Sequence, residues 1–193
     1  NKKNPTIERM VDATSVWNKI IYSAWQTAEP GVLFWDNIIR ESVPDCYAKF
    51  GFETICTNPC GEIPLSAYDS CRLLLVNLFG FVLNPFTPEA KFDWKGFYEA
   101  VQVAQRLMDD LVDLEEECIR KIIQKIETDP EPEDVKCREL NLWQKILTAC
   151  LDGRRTGTGI TALGDAIAAL GIGYGSEDGI CMTDRIYKTL KFG

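Results

Sequence analysis

Apolar side chains recur every three or four positions at Phe97, Val101, Ala104, Met108, Leu111, Ile119, Ile122 and Ile126. That is the period of one helical face, so a long helix is predicted over about 94 to 126, with Asp93 as its N-cap. Similar spacings at Ile7, Met10, Val11, Val16, Ile20, Ile21, Ala24 and Trp25 predict one or two helices over 6–28, ending before Pro30-Gly31. Shorter helices are predicted over 35–42, closed by Pro44, over 138–151, and over 163–170, closed by Gly171 and Gly173. Elsewhere the pattern changes. Leu73-Leu74-Leu75-Val76 lies in an almost continuous apolar run, so 72–83 reads as a buried strand ended by Asn84-Pro85, and a second short strand is predicted at 157–162. Residues 44–71 follow neither period and read as largely irregular. Asp129-Pro-Glu-Pro-Glu-Asp134 reads as an exposed acidic linker, the one internal boundary in a chain without repeats. The fold class is therefore α/β and helix-rich.

Composition narrows the function. The chain has 193 residues, of which 46% are hydrophobic and 26% charged, enough for one domain with a sizeable core. A net charge of −8 argues against a nucleic-acid backbone as partner, because counterion release needs clustered Lys and Arg. No apolar run approaches the roughly 20 residues of a membrane span and the polar N-terminus resembles no signal peptide, so a cytoplasmic protein is expected. The eight cysteines are irregularly spaced, which favours reduced thiols over a disulfide framework. Histidine is absent altogether, which removes Ser-His-Asp triads, Cys-His dyads and His-ligated metal sites. Acid–base chemistry near neutrality falls to carboxylates, Lys, Tyr or Cys.

The segment Thr57-Asn58-Pro59-Cys60-Gly61-Glu62-Ile63-Pro64-Leu65 meets that requirement. Pro59 fixes its own φ and pushes Asn58 towards an extended conformation, while Gly61 reaches angles closed to other residues, so the segment reads as a sharply shaped loop. An amide, a thiol and a carboxylate at alternate positions suit hydrogen-bond donation, sulfur chemistry and proton transfer at one small ligand. A buried structural cysteine in an ordinary turn is the plainer alternative.

This string, followed by Tyr68-Asp69-Ser70-Cys71-Arg72-Leu73-Leu74 and Val76-Asn77-Leu78, resembles the catalytic subunit of ribonucleotide reductases, most closely the adenosylcobalamin-dependent class II enzymes. Ser23–Thr27, Pro30–Asp36, Arg154–Thr161 and Leu163–Ala166 resemble the same family, so the likeness covers nearly the whole chain. It implies a portion of a ten-stranded α/β barrel with residues 57–65 as the finger loop threaded into it. It implies that Cys60 becomes a thiyl radical that removes hydrogen from C3′ of a ribonucleotide, that Glu62 takes the 3′-hydroxyl proton, and that Asn58 binds the ribose hydroxyls. Cys71 matches one member of the redox cysteine pair, whose partner the family carries on an upstream strand that nothing here matches. The implied cofactor is adenosylcobalamin, with no contact residues identifiable in this chain. The implied partners are a ribonucleoside di- or triphosphate, the remainder of the reductase polypeptide and a thioredoxin-like reductant. Because the chain starts at Asn1 without Met and stops at Gly193, residues 1–193 are expected to be one internal slice of the catalytic domain, without turnover alone. A class I enzyme served by a separate radical subunit shares the motif.

Other constellations have weaker readings. Cys46, Cys56, Cys60 and Cys71 are four thiols that a small zinc-binding or interaction module could use, although no C-x₂-C knuckle occurs. Asp109, Asp110, Asp113, Glu115, Glu116 and Glu117 read as a solvated helix face. Gly157-Thr-Gly159-Ile-Thr-Ala162 fits a G-x-G-x-x-A pattern but follows a predicted helix, against a dinucleotide fold. Arg154 and Arg155 are expected to close a helix C-terminus or to pair with carboxylates. The five tryptophans read as packing residues.

Overall fold

The computed structural model describes residues 8–193. Its first helix, α1, spans Ala13–Thr27, and the Asp12 carboxylate caps it by accepting from the Thr14 and Ser15 amides. That cap fixes the helix start, so the predicted helix loses residues 8–12; residues 6 and 7 lie outside the described part. Helix α2 is Trp35–Glu41, and a 3₁₀ segment with Pro44 in its first turn follows over Val43–Phe50. The sequence reading of 44–71 as irregular missed this segment and a small antiparallel hairpin, β1 (Cys56–Thr57) with β2 (Pro64–Leu65).

Strand β3 is Arg72–Asn77, shorter than the predicted 72–83, because Asn77 accepts from the Phe79 amide and turns the chain into a 3₁₀ helix at Leu78–Phe81. β4 (Val82–Leu83) and β5 (Lys91–Phe92) then pair antiparallel. Helix α3 runs over Trp94–Thr128, with the Asp93 carboxylate accepting from the Gly96 amide as predicted. The buried stripe is Phe97, Val101, Ala104, Met108, Val112, Ile119 and Ile126. Val112 is buried where Leu111 was expected, since steps of four from Phe97 to Val101 and from Ala104 through Met108 keep to the 3.6-residue turn.

Helix α4 spans Glu133–Gly153 and begins earlier than predicted, because Glu133 and Asp134 occupy its first turn, where carboxylates favour the helix N-terminus. The acidic linker therefore shrinks to the turn before Glu133. Strand β6 (Thr156–Thr161) pairs parallel with β3, in the register Arg72↔Thr156 to Asn77↔Thr161. Helix α5 (Leu163–Ala169) follows, and a last helix, α6 (Glu177–Phe192), was not predicted. Its Ser176 cap accepts from Gly179 N, and it buries Ile186 completely and stacks Arg185 over the Trp94 ring at 3.8 Å.

The core has two parts. One joins Val76, Leu78, Phe92, Phe97, Ala166 and Ile186 with their neighbours, its centre an aromatic group in which Phe97 meets Phe81 and Phe92 edge-on at 5.5 and 5.6 Å. The other is the α3–α4 seam of Val112, Ile119 and Cys150 under Trp143 and Ile146. Helix α3 covers one face of the β3–β6 pair, burying Val76, while Leu73 and Leu75 on the other face stay 58% and 59% exposed. The run was thus a half-covered strand and not a fully buried one. Among the described residues the strands form three separate two-stranded pairs that do not close into a barrel. Three tryptophans read as packing residues, Trp17, Trp25 and Trp35, are 49%, 78% and 38% exposed.

Candidate active site at the Asn58–Glu62 hairpin

The β1–β2 hairpin is shaped by its own polar groups. Asn58 N donates to Ile63 O at 3.1 Å, and Gly61 N donates back to Asn58 O at 3.0 Å, closing a turn with Pro59 and Cys60 at its centre. Gly61 takes φ +82°, in the left-handed region that glycine occupies without a Cβ penalty. The Asn58 side chain braces both arms: its Nδ2 donates to Glu62 Oε1 at 2.6 Å, and its Oδ1 accepts from Ile63 N at 3.0 Å. Cys60 is exposed at the tip. The amide and the carboxylate that the motif pairs are therefore in contact, with the thiol free between them.

Cys71 stands at the entrance of β3, half-buried. It shares a cleft of about 390 Å³ with Glu62, Ser42, Ile63, Arg155 and Thr156, whereas Cys60 does not line that cleft. Gly157 makes room for the thiol: a Cβ there would lie 3.1 Å from Cys71 Sγ. Burial pushes the Cys71 thiol's pKa up, and the nearby Arg155 charge works against that rise. The neighbouring Arg72 is tied down by Glu115 of α3 (Nε–Oε2 2.6 Å), by the Arg155 carbonyl and by Cys150 Sγ at 3.2 Å. Burial opposes the Arg72 charge, but Glu115 outweighs it and raises the pKa, while burial raises that of the Cys150 thiol.

Carboxylates read as a solvated face have specific partners here. Asp109 and Asp113 hold Arg154, which caps α4 at φ 41°, and Asp110, Glu115 and Glu116 pair with Arg106, Arg72 and Arg120. Arg155 pairs with Asp69 at 2.5 Å. Sequence reasoning placed the two arginines against carboxylates but missed that Arg155, Asp69 and Arg72 surround Cys71; the clue was the Arg-Arg pair ahead of a glycine-rich strand aligned with the cysteine strand. Among the described residues no three or more Cys, Asp or Glu side chains are placed to hold a metal ion, so Cys46, Cys56, Cys60 and Cys71 form no four-thiolate cage. No helix is long and apolar enough to cross a membrane among the described residues.

All 193 residues match the family described as "Ribonucleotide reductase, barrel domain". The chain belongs to the ribonucleotide reductase barrel-domain family. A vitamin B12-dependent ribonucleoside-diphosphate reductase of Thermoplasma acidophilum is 36% identical over 113 residues, 58% of this chain and 14% of that protein. One of Mycobacterium tuberculosis is 28% identical over 192 residues, 99% of this chain and 23% of that protein. The large subunit of a Vaccinia virus ribonucleoside-diphosphate reductase is 25% identical over 185 residues, covering 95% of this chain and 20% of its own length. The chain thus spans less than a quarter of each of these reductases.

Proposed function

We propose that this chain supplies the finger loop and one redox thiol of a ribonucleotide reductase, most like the vitamin B12-dependent enzymes, and acts only with the remainder of that polypeptide. The ten-stranded barrel would be completed by that remainder, since the outer edges of the β3–β6 pair have no strand partner among the described residues. The names of the relatives favour a ribonucleoside diphosphate as substrate; the cytoplasm as the place of work and a thioredoxin-like dithiol as reductant belong to the same proposal.

The observation that supports this reading is the braced hairpin, in which Asn58 ties Glu62 to the turn while Cys60 projects from its tip. Cys60, once it has lost its hydrogen atom, takes the hydrogen from C3′ and later returns it. Glu62 accepts the 3′-hydroxyl proton, and the Asn58 amide hydrogen-bonds the ribose hydroxyls in exchange for its present bond to Glu62. The 2′-hydroxyl leaves as water, and the two electrons come from Cys71 and a partner thiol on the rest of the polypeptide, which become a disulfide. Adenosylcobalamin would supply the initiating radical when bound. No residue of this chain is assigned to its seat.

The test is Cys60→Ala in the full-length reductase. Loss of deoxyribonucleotide formation with substrate binding retained is the expected result; continued turnover would refute the role of Cys60.

A further inference from the structure

Arg155 has no part in the chemistry above, yet it faces the redox thiol. It immediately precedes β6, and because Arg72 pairs with Thr156 in a parallel register, Arg155 and Cys71 occupy equivalent places at the entrances of adjacent strands. Both line the cleft that holds Glu62. The Arg155 guanidinium is not free to swing away: its Nε lies 2.5 Å from Asp69 Oδ2, and the two side chains are only 15% and 2% exposed. Exposed pairs of this type do little, but a nearly dry carboxylate needs its partner, and that need fixes the cation beside the sulfur.

The other charges around Cys71 are accounted for. Asp69 is taken up by Arg155, Arg72 on β3 is taken up by Glu115 of α3, Glu62 comes from the hairpin and is bonded to Asn58, and Glu41 lines the cleft from α2. Removing water from the thiol favours its protonated form, and Arg155 is the strongest influence in the opposite direction.

We propose that Arg155, anchored by Asp69, is a positioning residue that keeps the Cys71 sulfur competent as a thiolate in disulfide exchange. This rests on the reading of Cys71 as a redox thiol. In the exchange a thiolate of an external dithiol attacks the partner sulfur of the Cys71 disulfide. A new S–S bond forms, the old one breaks, and its electron pair departs on Cys71 as a thiolate. The dithiol's second thiolate then closes its own disulfide and releases the partner sulfur; the dithiol is oxidised, the protein disulfide is reduced, and the freed thiolates take protons from solvent. A sulfur with lower proton affinity leaves faster, and a fixed guanidinium lowers it.

The experiment is the pH dependence of Cys71 alkylation by iodoacetamide in the reduced full-length protein, resolved by peptide mass spectrometry. Arg155→Gln is expected to move the midpoint up by about one pH unit, a ~tenfold slower reaction below the midpoint, and Arg155→Lys to restore most of that loss. Asp69→Asn removes a negative charge but also the anchor, and is expected to move the midpoint up by less than Arg155→Gln does. A merely structural role of the ion pair would leave Arg155→Lys as shifted as Arg155→Gln, because the guanidinium fit to Asp69 is lost in both. An unshifted Arg155→Gln profile, or an Arg155→Lys profile shifted as far as that of Arg155→Gln, overturns the proposal. Turnover of full-length Cys71→Ser with a dithiol reductant separates the two readings. Retained turnover refutes the redox role of Cys71, whereas an inactive Cys71→Ser with an unshifted Arg155→Gln profile refutes the role of Arg155 alone.

Discussion

Replacing Gly157 with alanine probes how closely β6 is fitted to the cysteine strand. The added Cβ would lie 2.5 Å from Leu73 Cδ2, 3.1 Å from Cys71 Sγ and 3.4 Å from the Arg72 carbonyl oxygen. The carbonyl belongs to a strand paired with β6 and cannot retreat. Leu73 is exposed and can turn its methyl away at a cost of about 0.5–1.5 kcal/mol, while the sulfur must yield by a few tenths of an ångström. Overpacking of this kind costs about 1–3 kcal/mol, against which alanine gains about 0.5–1 kcal/mol over glycine within a strand. The net expectation is a loss of about 1 kcal/mol, read as a lower urea midpoint with unchanged m-value. Gly164→Ala is the control: it lies in α5, nothing stands within 4 Å of its added Cβ, and it should gain up to ~1 kcal/mol. A Gly157→Ala protein as stable as the wild type would refute the packing argument, and so would a destabilised Gly164→Ala.

Two further outcomes are open to direct measurement. Phe97→Ala empties the centre of the aromatic group and should cost about 3–5 kcal/mol in urea titration; a loss below about 1 kcal/mol would mean that Phe81 and Phe92 collapse into the space. Asp45 accepts from Thr54 Oγ1 at 2.6 Å and from Thr54 N at 3.0 Å, bonds that hold its carboxyl below the ordinary 3.8. A lowered native pKa adds stability that is present above the unfolded value and fades as pH falls through the native one, so Asp45→Asn should be the less stable protein at pH 7, with the gap closing below about pH 4. A gap that stays constant down to pH 3 would show that the charge contributes nothing.

Elements with strong local signals were legible in the sequence. Asp93 ahead of a long apolar stripe specified α3, and Gly171, here at φ +73°, marked the end of α5. Cys60, Asn58 and Glu62 were singled out together because proline and glycine shape the loop locally, and the hydrogen bonds between Asn58 and its neighbours agree with that loop shape. The misses share a cause: the deciding partner was distant in sequence. Helix α6 has an apolar pattern that makes sense only against α3 and α5, and the polarity of the two faces of β3 depends on where α3 lies. Arg155 looked like a capping residue until the register of β3 against β6 brought it to the cysteine.

The parallel pairing of β3 with β6 also carries a kinetic consequence. The two strands are separated by the whole of α3 and α4, so direct closure of that loop would be entropically slow. The two helices contain mainly local contacts and, once zipped along Val112, Ile119 and Cys150, deliver Thr156 to Arg72 with most of the intervening chain already ordered. The helical hairpin thus shortens the effective loop that must close before the cysteine cleft can assemble.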